Sequence, residues 1–229
     1  MIIGGVQKVS LIDYPGHICA VVFLRGCNFR CPYCHNPELV DPAQFGECVP
    51  EDDVWRYLEG RRGKLDAVTV SGGEPTLQTD LPEFIRQIRE RDFKVKIDTN
   101  GSRPDVLDGL VRDGLVDYIA MDVKGPLSKY GLVTGSRVKA ETIARSIEII
   151  KVSGVAYEFR TTAVKSLLTP DDLIMIGKSL EKADRYVLNR FIAAQTLDHA
   201  FGGEESYTEE DFRTLQPVLE QYVSQVFFR

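Results

Sequence analysis

The chain has 229 residues, within the single-domain range of α/β barrels, and its 43% hydrophobic content supplies a sizeable core. A net charge of −6 argues against an extended nucleic-acid-binding face, which needs cations to neutralise phosphates. Five cysteines, three of them in one short loop, do not make a disulfide framework and point to metal binding in a reducing compartment. The first residues lack a charged-then-apolar signal pattern and no apolar run approaches membrane-spanning length, so a cytoplasmic location without membrane contact is expected.

In chain order, residues 18–24 (ICAVVFL) form an apolar run of strand length that stops at Gly26. The loop Cys27-Asn28-Phe29-Arg30-Cys31-Pro32-Tyr33-Cys34-His35-Asn36 follows at once, with C-x3-C-x2-C spacing and an aromatic residue before the third cysteine. Pro50 opens a predicted helix over 51–61, and residues 65–71 form a second strand broken by Gly72-Gly73. Asp80 is expected to cap a helix carrying Leu81, Phe84, Ile85 and Ile88 on one face. A third strand, 93–98, ends in Thr99-Asn100-Gly101.

The alternation continues with a helix over 104–112, a strand over 115–122, a helix over 141–152 and a strand over 155–163. Thr169-Pro170-Asp171-Asp172 combines a capping residue, an early proline and acids suited to the helix dipole, and so starts another helix. A short sixth strand is predicted over 185–189 and a final helix over 208–223. Cys19 lies in the first apolar run and reads as a core thiol, whereas Cys48 falls in a loop.

Strands alternating with helices imply a parallel sheet in a single domain over residues 1–229, its core at about 15–192. Six βα units cannot close an eight-fold barrel and suit an open partial one, although periodicity does not separate that from a doubly wound sheet. The cysteine loop, Gly72-Gly73-Glu74, Asp98–Gly101 and Asp122-Val123-Lys124 all fall at carboxyl ends of strands. In parallel α/β folds that edge binds ligands.

Zinc in a structural site takes four protein ligands, and His35, the one candidate beside the loop, is awkwardly adjacent to Cys34 for a closed tetrahedron. Three cysteines instead suit a site-differentiated [4Fe–4S] cube with one iron open to an exchangeable ligand.

At this point the chain resembles the radical S-adenosylmethionine (SAM) superfamily, on the cysteine loop after the first strand and on Ser71-Gly72-Gly73-Glu74-Pro75 after the second. The resemblance implies a partial (β/α)6 barrel of parallel strands with outer helices. It also implies Cys27, Cys31 and Cys34 as cluster ligands. The open iron would chelate the amino and carboxylate groups of SAM, and the reduced cluster would cleave it to methionine and a 5′-deoxyadenosyl radical. Gly72 and Gly73 would let backbone approach the ligand, Glu74 would accept from its ammonium, and Tyr33 would face its adenine. A plain strand-to-loop turn is the bland reading of Gly72–Pro75.

Asp13-Tyr14-Pro15-Gly16 and Cys34-His35-Asn36-Pro37 are similar to the activating enzymes of glycyl radical enzymes, especially the activating protein of anaerobic ribonucleoside-triphosphate reductase. That similarity implies that Lys124 pairs with the SAM carboxylate while Asp98 and Asp122 hold a monovalent cation, with Asn100 on the same rim. A salt bridge from Lys124 to either acid is the alternative, and both stay open. Asn189 and Arg190 are candidates for a polar contact after the sixth strand. The partners implied are a glycyl radical enzyme and a flavodoxin or ferredoxin as electron donor. A compact enzyme acting on a 7-deazapurine-type heterocycle and a non-catalytic metal-binding module are the competing readings.

Overall fold

A computed structural model describes residues 1–229. Eight strands form one open sheet in chain order: β1 (Ile3–Ser10), β2 (Cys19–Leu24), β3 (Ala67–Gly72), β4 (Lys94–Thr99), β5 (Tyr118–Asp122), β6 (Ala156–Ala163), β7 (Arg185–Arg190) and β8 (Gln225–Phe228). Only β1 runs antiparallel to its neighbour; β2 through β8 are parallel. The six predicted strands correspond to β2–β7. Both edge strands escaped the sequence reading, β1 because Gly4, Gly5 and polar residues break its apolar pattern, and β8 because it has only four residues.

Helices fill the crossovers: α1 (Pro37–Val40) and α2 (Glu51–Glu59) between β2 and β3, α3 (Leu81–Arg89), α4 (Pro104–Arg112), α5 (Tyr130–Thr134) with α6 (Ala140–Val152), α7 (Pro170–Ser179) and α8 (Glu209–Leu219). Thr169 caps α7 through the reciprocal bonds with Asp172 that its motif anticipates. Asp80 does not cap α3; its carboxylate lies 2.7 Å from the Met1 ammonium, which outcompetes the backbone N–H groups for it. The final helix packs on the body, burying Phe212, Leu215 and Leu219.

Strand residues alternate between two faces. Ala20, Val22, Leu24, Val68, Val70, Val95, Ile97, Ile119, Met121 and Phe159 join the large core under the helices. The opposite, concave face carries a small apolar floor of Tyr14, Cys19, Val21, Ala67, Tyr118 and Ala120. Toward the carboxyl ends of the strands that face becomes polar, with Ser71, Asp98, Asp122, Arg160, Thr162 and Asn189 at one cavity. Cys19 is fully buried, as its apolar neighbours imply. No helix is long and apolar enough to cross a membrane.

Candidate active site

The cysteine loop leaves β2 and is tied down on three sides. Against β3, Gly73 N–H donates to the Leu24 carbonyl and Glu74 N–H to the Gly26 carbonyl, both at 2.8 Å. Against α5, Arg30 N–H donates to the Thr134 carbonyl at 2.8 Å. On the far side, Leu197 N–H reaches the Cys34 carbonyl at 3.0 Å and Asp198 N–H the Pro32 carbonyl at 2.9 Å. His35 completes this strap: its Nε2 lies 2.9 Å from the Ile192 carbonyl and its ring stacks on Phe191.

Gly72 and Gly73 are required by the protein's own backbone. A Cβ on Gly72 would lie 2.2 Å from the Leu24 carbonyl oxygen, and one on Gly73 would lie 2.1 Å from that of Gly26. Gly72 also holds φ at +125°, a left-handed conformation that side chains avoid. The close approach read from the sequence is therefore made to the root of the cysteine loop, although both glycines also line the cavity.

That cavity has a volume of about 460 Å³. Cys27, Cys31, Tyr33, Cys34 and His35 reach it from the loop, with Gly72, Gly73, Asp98, Asn100, Asp122, Lys124 and Asn189 from the strand ends. Of the residues singled out in the sequence as ligand contacts, Glu74 and Arg190 are not among the cavity's lining. Between the two candidates after the sixth strand, Asn189 faces the cavity while Arg190 is exposed on the opposite side of β7.

Glu74 corrects the sequence reading. It is fully buried, and its carboxylate accepts from Thr76 N–H and Oγ1, Thr99 Oγ1 and Asn100 N–H. Burial pushes its pKa up despite these donors. Its oxygens join the ends of β3 and β4, and its complete burial keeps them from an outside ammonium. Asn100 serves the same framework: its Nδ2 donates to Asn28 Oδ1 at 3.0 Å and lies 3.8 Å from Cys27 Sγ.

Arg160, which no motif marked, organises the acids. Its Nε donates to Asp122 Oδ1 at 2.8 Å and its Nη1 reaches Asp98 Oδ1 at 3.4 Å. Asp122 Oδ2 takes Lys124 Nζ at 2.9 Å; Asp98 takes the buried Lys96 ammonium and, at 2.8 Å, Ser71 Oγ. Every oxygen of both carboxylates is engaged by a donor from the protein. Burial would raise both acids, but Arg160 with Lys96 or Lys124 outweighs it and holds their carboxyls below the ordinary range. Lys124 is held well above its usual value, since its acidic neighbour outweighs its own desolvation. The signal for Arg160 was its spacing: on a strand of period two, Glu158, Arg160 and Thr162 share the inward face.

The thiols fit an iron–sulfur cluster. No three His, Cys, Asp and Glu side chains converge on one point as a lone metal ion requires, yet all three loop cysteines open on one cavity. With Nε2 engaged at Ile192, His35 is also a poor fourth zinc ligand. Burial raises the Cys27 thiol to about 11 and that of Cys31 to about 12, so these sulfurs lose their protons only to a cationic core. Phe29 N–H, 3.3 Å from Cys27 Sγ, is the kind of donor that tunes such a centre.

Residues 21–175 match the Radical SAM superfamily, and the chain belongs to that superfamily. Membership makes it an enzyme and implies a [4Fe–4S] cluster and SAM. A relative from Methanocaldococcus jannaschii, provisionally named a glycyl-radical enzyme activating enzyme, is 35% identical across all of this chain and 95% of its own length. The 7-carboxy-7-deazaguanine synthase of Methanopyrus kandleri is 31% identical over 67% of this chain and 70% of its own. Streptococcus suis SuiB, solved with S-adenosylmethionine bound, shares the fold with a TM-score of 0.65 at 16% identity, over 91% of this chain and 51% of that one.

Proposed function

We propose that this protein is an activating enzyme that generates a glycyl radical on a partner protein, with an anaerobic ribonucleoside-triphosphate reductase as that partner. The observation that carries the reading is the loop from β1 to β2. Leu11 and Ile12 are 72% and 80% exposed, and the next residue, Asp13, lines the cavity. An apolar pair at the site's rim is buried by a protein substrate, and a small heterocycle has no use for it. A side opening lined by Leu11, Ile12, Asp13, Pro15, Glu158, Arg160 and Arg229 shares Asp13 and Arg160 with the main cavity. That opening offers a polypeptide loop a lateral path to the reacting centre. The relative matched over the whole chain supports glycyl radical activation, though its name specifies no partner enzyme.

When bound, the cluster and SAM supply a 5′-deoxyadenosyl radical able to remove a hydrogen atom from a glycine Cα. The chain's own residues do the rest. Cys27, Cys31 and Cys34 would hold the cluster, on a loop whose root is tied to β3 at Gly72 and Gly73. Lys124, at the cavity beside Asp122, would pair with the SAM carboxylate through a charge-assisted bond. Arg160 keeps Asp98 and Asp122 ionised and in place. Asn189, Tyr33 and His35 line the cavity where SAM would sit, and Phe29 helps to wall it from water. The electron comes from a flavodoxin or ferredoxin.

The deazaguanine synthase relative favours a second reading, chemistry on a small heterocycle through the same open mouth. Incubation of the reconstituted, reduced protein with SAM and a candidate glycyl radical enzyme separates the two. A glycyl radical signal on the partner supports activation. 5′-Deoxyadenosine formed with a heterocycle but never with a protein overturns it.

A further inference from the structure

The outer face of the cysteine loop is basic in a chain that is acidic overall. The protein carries 34 acidic against 28 basic side chains, yet residues 14–37 and 123–140 contain no Asp or Glu. The fold brings these two stretches together. Arg30 N–H donates to the Thr134 carbonyl at 2.8 Å, and a Cβ on Gly135 would lie 2.7 Å from the Arg30 carbonyl oxygen. The end of β4 joins them, since Asn28 Nδ2 donates to Ser102 Oγ at 2.9 Å, next to Arg103. Arg30, Arg103, Arg137 and Lys139 are all exposed, and none has a carboxylate within salt-bridge distance. Of the neighbouring acids, Asp105 is held by Arg145 at 2.8 Å and Asp41 by Ala43 N–H and Gln44, which leaves Glu141. Leu132, on the same short helix as Thr134, is 78% exposed.

Only the loop itself separates this face from the sulfurs. Cys27, Phe29 and Cys31 line the cavity, while Asn28 and Arg30 between them are exposed. Arg30 Nη1 donates to the carbonyl of Cys27 at 2.7 Å, so the basic face rests on a cluster-ligating residue. We propose that this face docks a flavodoxin, an acidic one-electron carrier, its carboxylates meeting the four cations and Leu132 covering the apolar edge of its flavin. One electron leaves the reduced flavin, which is oxidised, and reduces the cluster held by Cys27, Cys31 and Cys34; no atom is exchanged. The apolar rim at Leu11 and Ile12 lies at the other end of β2, where Ser10 pairs with Cys19, roughly 17 Å from the root of the cysteine loop. Carrier and protein substrate can therefore be bound together. The inference rests on the reading of an external electron donor and holds whichever substrate receives the radical.

The test uses anaerobically reconstituted protein and purified flavodoxin. Wild type is compared with Arg103→Glu, Arg137→Glu and Lys139→Glu combined; Arg30 is left intact because it also holds the loop. A control combines Lys8→Glu, Arg61→Glu and Lys64→Glu, the same charge change at exposed positions near the amino ends of the strands. Flavodoxin binding at low salt is expected to weaken about tenfold in the first variant alone. The difference is expected to vanish in high salt, which screens exposed charges. Cluster reduction by flavodoxin, followed as loss of visible absorbance, is expected to slow in step, with reduction by dithionite and the melting temperature unchanged. Equal losses in both variants overturn the proposal, because net charge is then the cause. Loss of radical transfer to a protein partner under dithionite also overturns it and gives the face to the substrate protein. If flavodoxin neither binds nor reduces wild type, the reading of the donor falls; if it serves wild type and the first variant equally, the docking surface alone falls.

Discussion

The Nε of Arg160 stands 2.8 Å from Oδ1 of Asp122, and the same guanidinium reaches Asp98 at 3.4 Å. One cation from β6 thereby joins the ends of β4 and β5 beneath the cavity. Removing it leaves two carboxylates facing each other with only Lys96 and Lys124 to offset them. Arg160→Ala is expected to lower unfolding free energy by about 3 kcal/mol, measured by urea denaturation. Lysine is expected to restore only part of the loss, because an ammonium lacks the two-armed geometry.

The pH dependence has a definite sign. Asp98 and Asp122 have folded pKa values below those of the unfolded chain, so the unfolded state binds more protons as pH falls. Their contribution is complete above the unfolded aspartate value of about 4 and is lost as pH drops through the folded values. The stability gap between wild type and Arg160→Ala is therefore expected to be widest above about pH 5 and to narrow in acid. A gap that widens in acid contradicts the assignment of these pairs.

Glu74→Gln addresses the buried carboxylate. An amide presents one acceptor and one donor to four groups that all donate, and its NH2 opposes at least one of them. About 2 kcal/mol of stability is expected to be lost, read as a lower denaturation midpoint. SAM affinity, corrected for the fraction folded, is expected to stay near wild type; a selective loss of affinity would return Glu74 to the ligand.

Gly73→Ala places a methyl group against the Gly26 carbonyl, and the root of the cysteine loop has to move. The expected cost is about 1–3 kcal/mol, together with reduced iron and sulfide content per chain after reconstitution. Full cluster content in this variant would show that the loop tolerates displacement from β3.

Leu11→Ser combined with Ile12→Ser tests the apolar rim. Reductant-driven cleavage of SAM is expected to be unchanged, because neither side chain lines the main cavity. Radical transfer to a protein partner is expected to fall about tenfold, as for interface anchors. Equal transfer by the variant would place the protein contact elsewhere.

The fold and most of the site were legible because their signals are local. Apolar runs marked β2–β7, and motifs at their carboxyl ends marked the rim. What stayed hidden depended on distant partners. Glu74 looked like a ligand until Thr99 and Asn100, from another strand, were seen to claim its oxygens. Arg160 lay in an ordinary alternating strand, and only the sheet register sets it between Asp98 and Asp122. Asp80 lost its capping role to a terminal amine that no helix rule anticipates. The edge strands β1 and β8 exist through pairing with β2 and β7, which short polar sequences do not advertise.

Under the proposed function, this chain takes a hydrogen atom from a glycine of another protein. Electron paramagnetic resonance of the reduced, SAM-loaded protein mixed with an anaerobic ribonucleoside-triphosphate reductase measures that directly. A doublet from a glycine Cα radical is expected on the partner, abolished by Cys31→Ala and by omitting SAM. 5′-Deoxyadenosine accumulating with no partner radical, across glycyl radical enzymes of several classes, would contradict it.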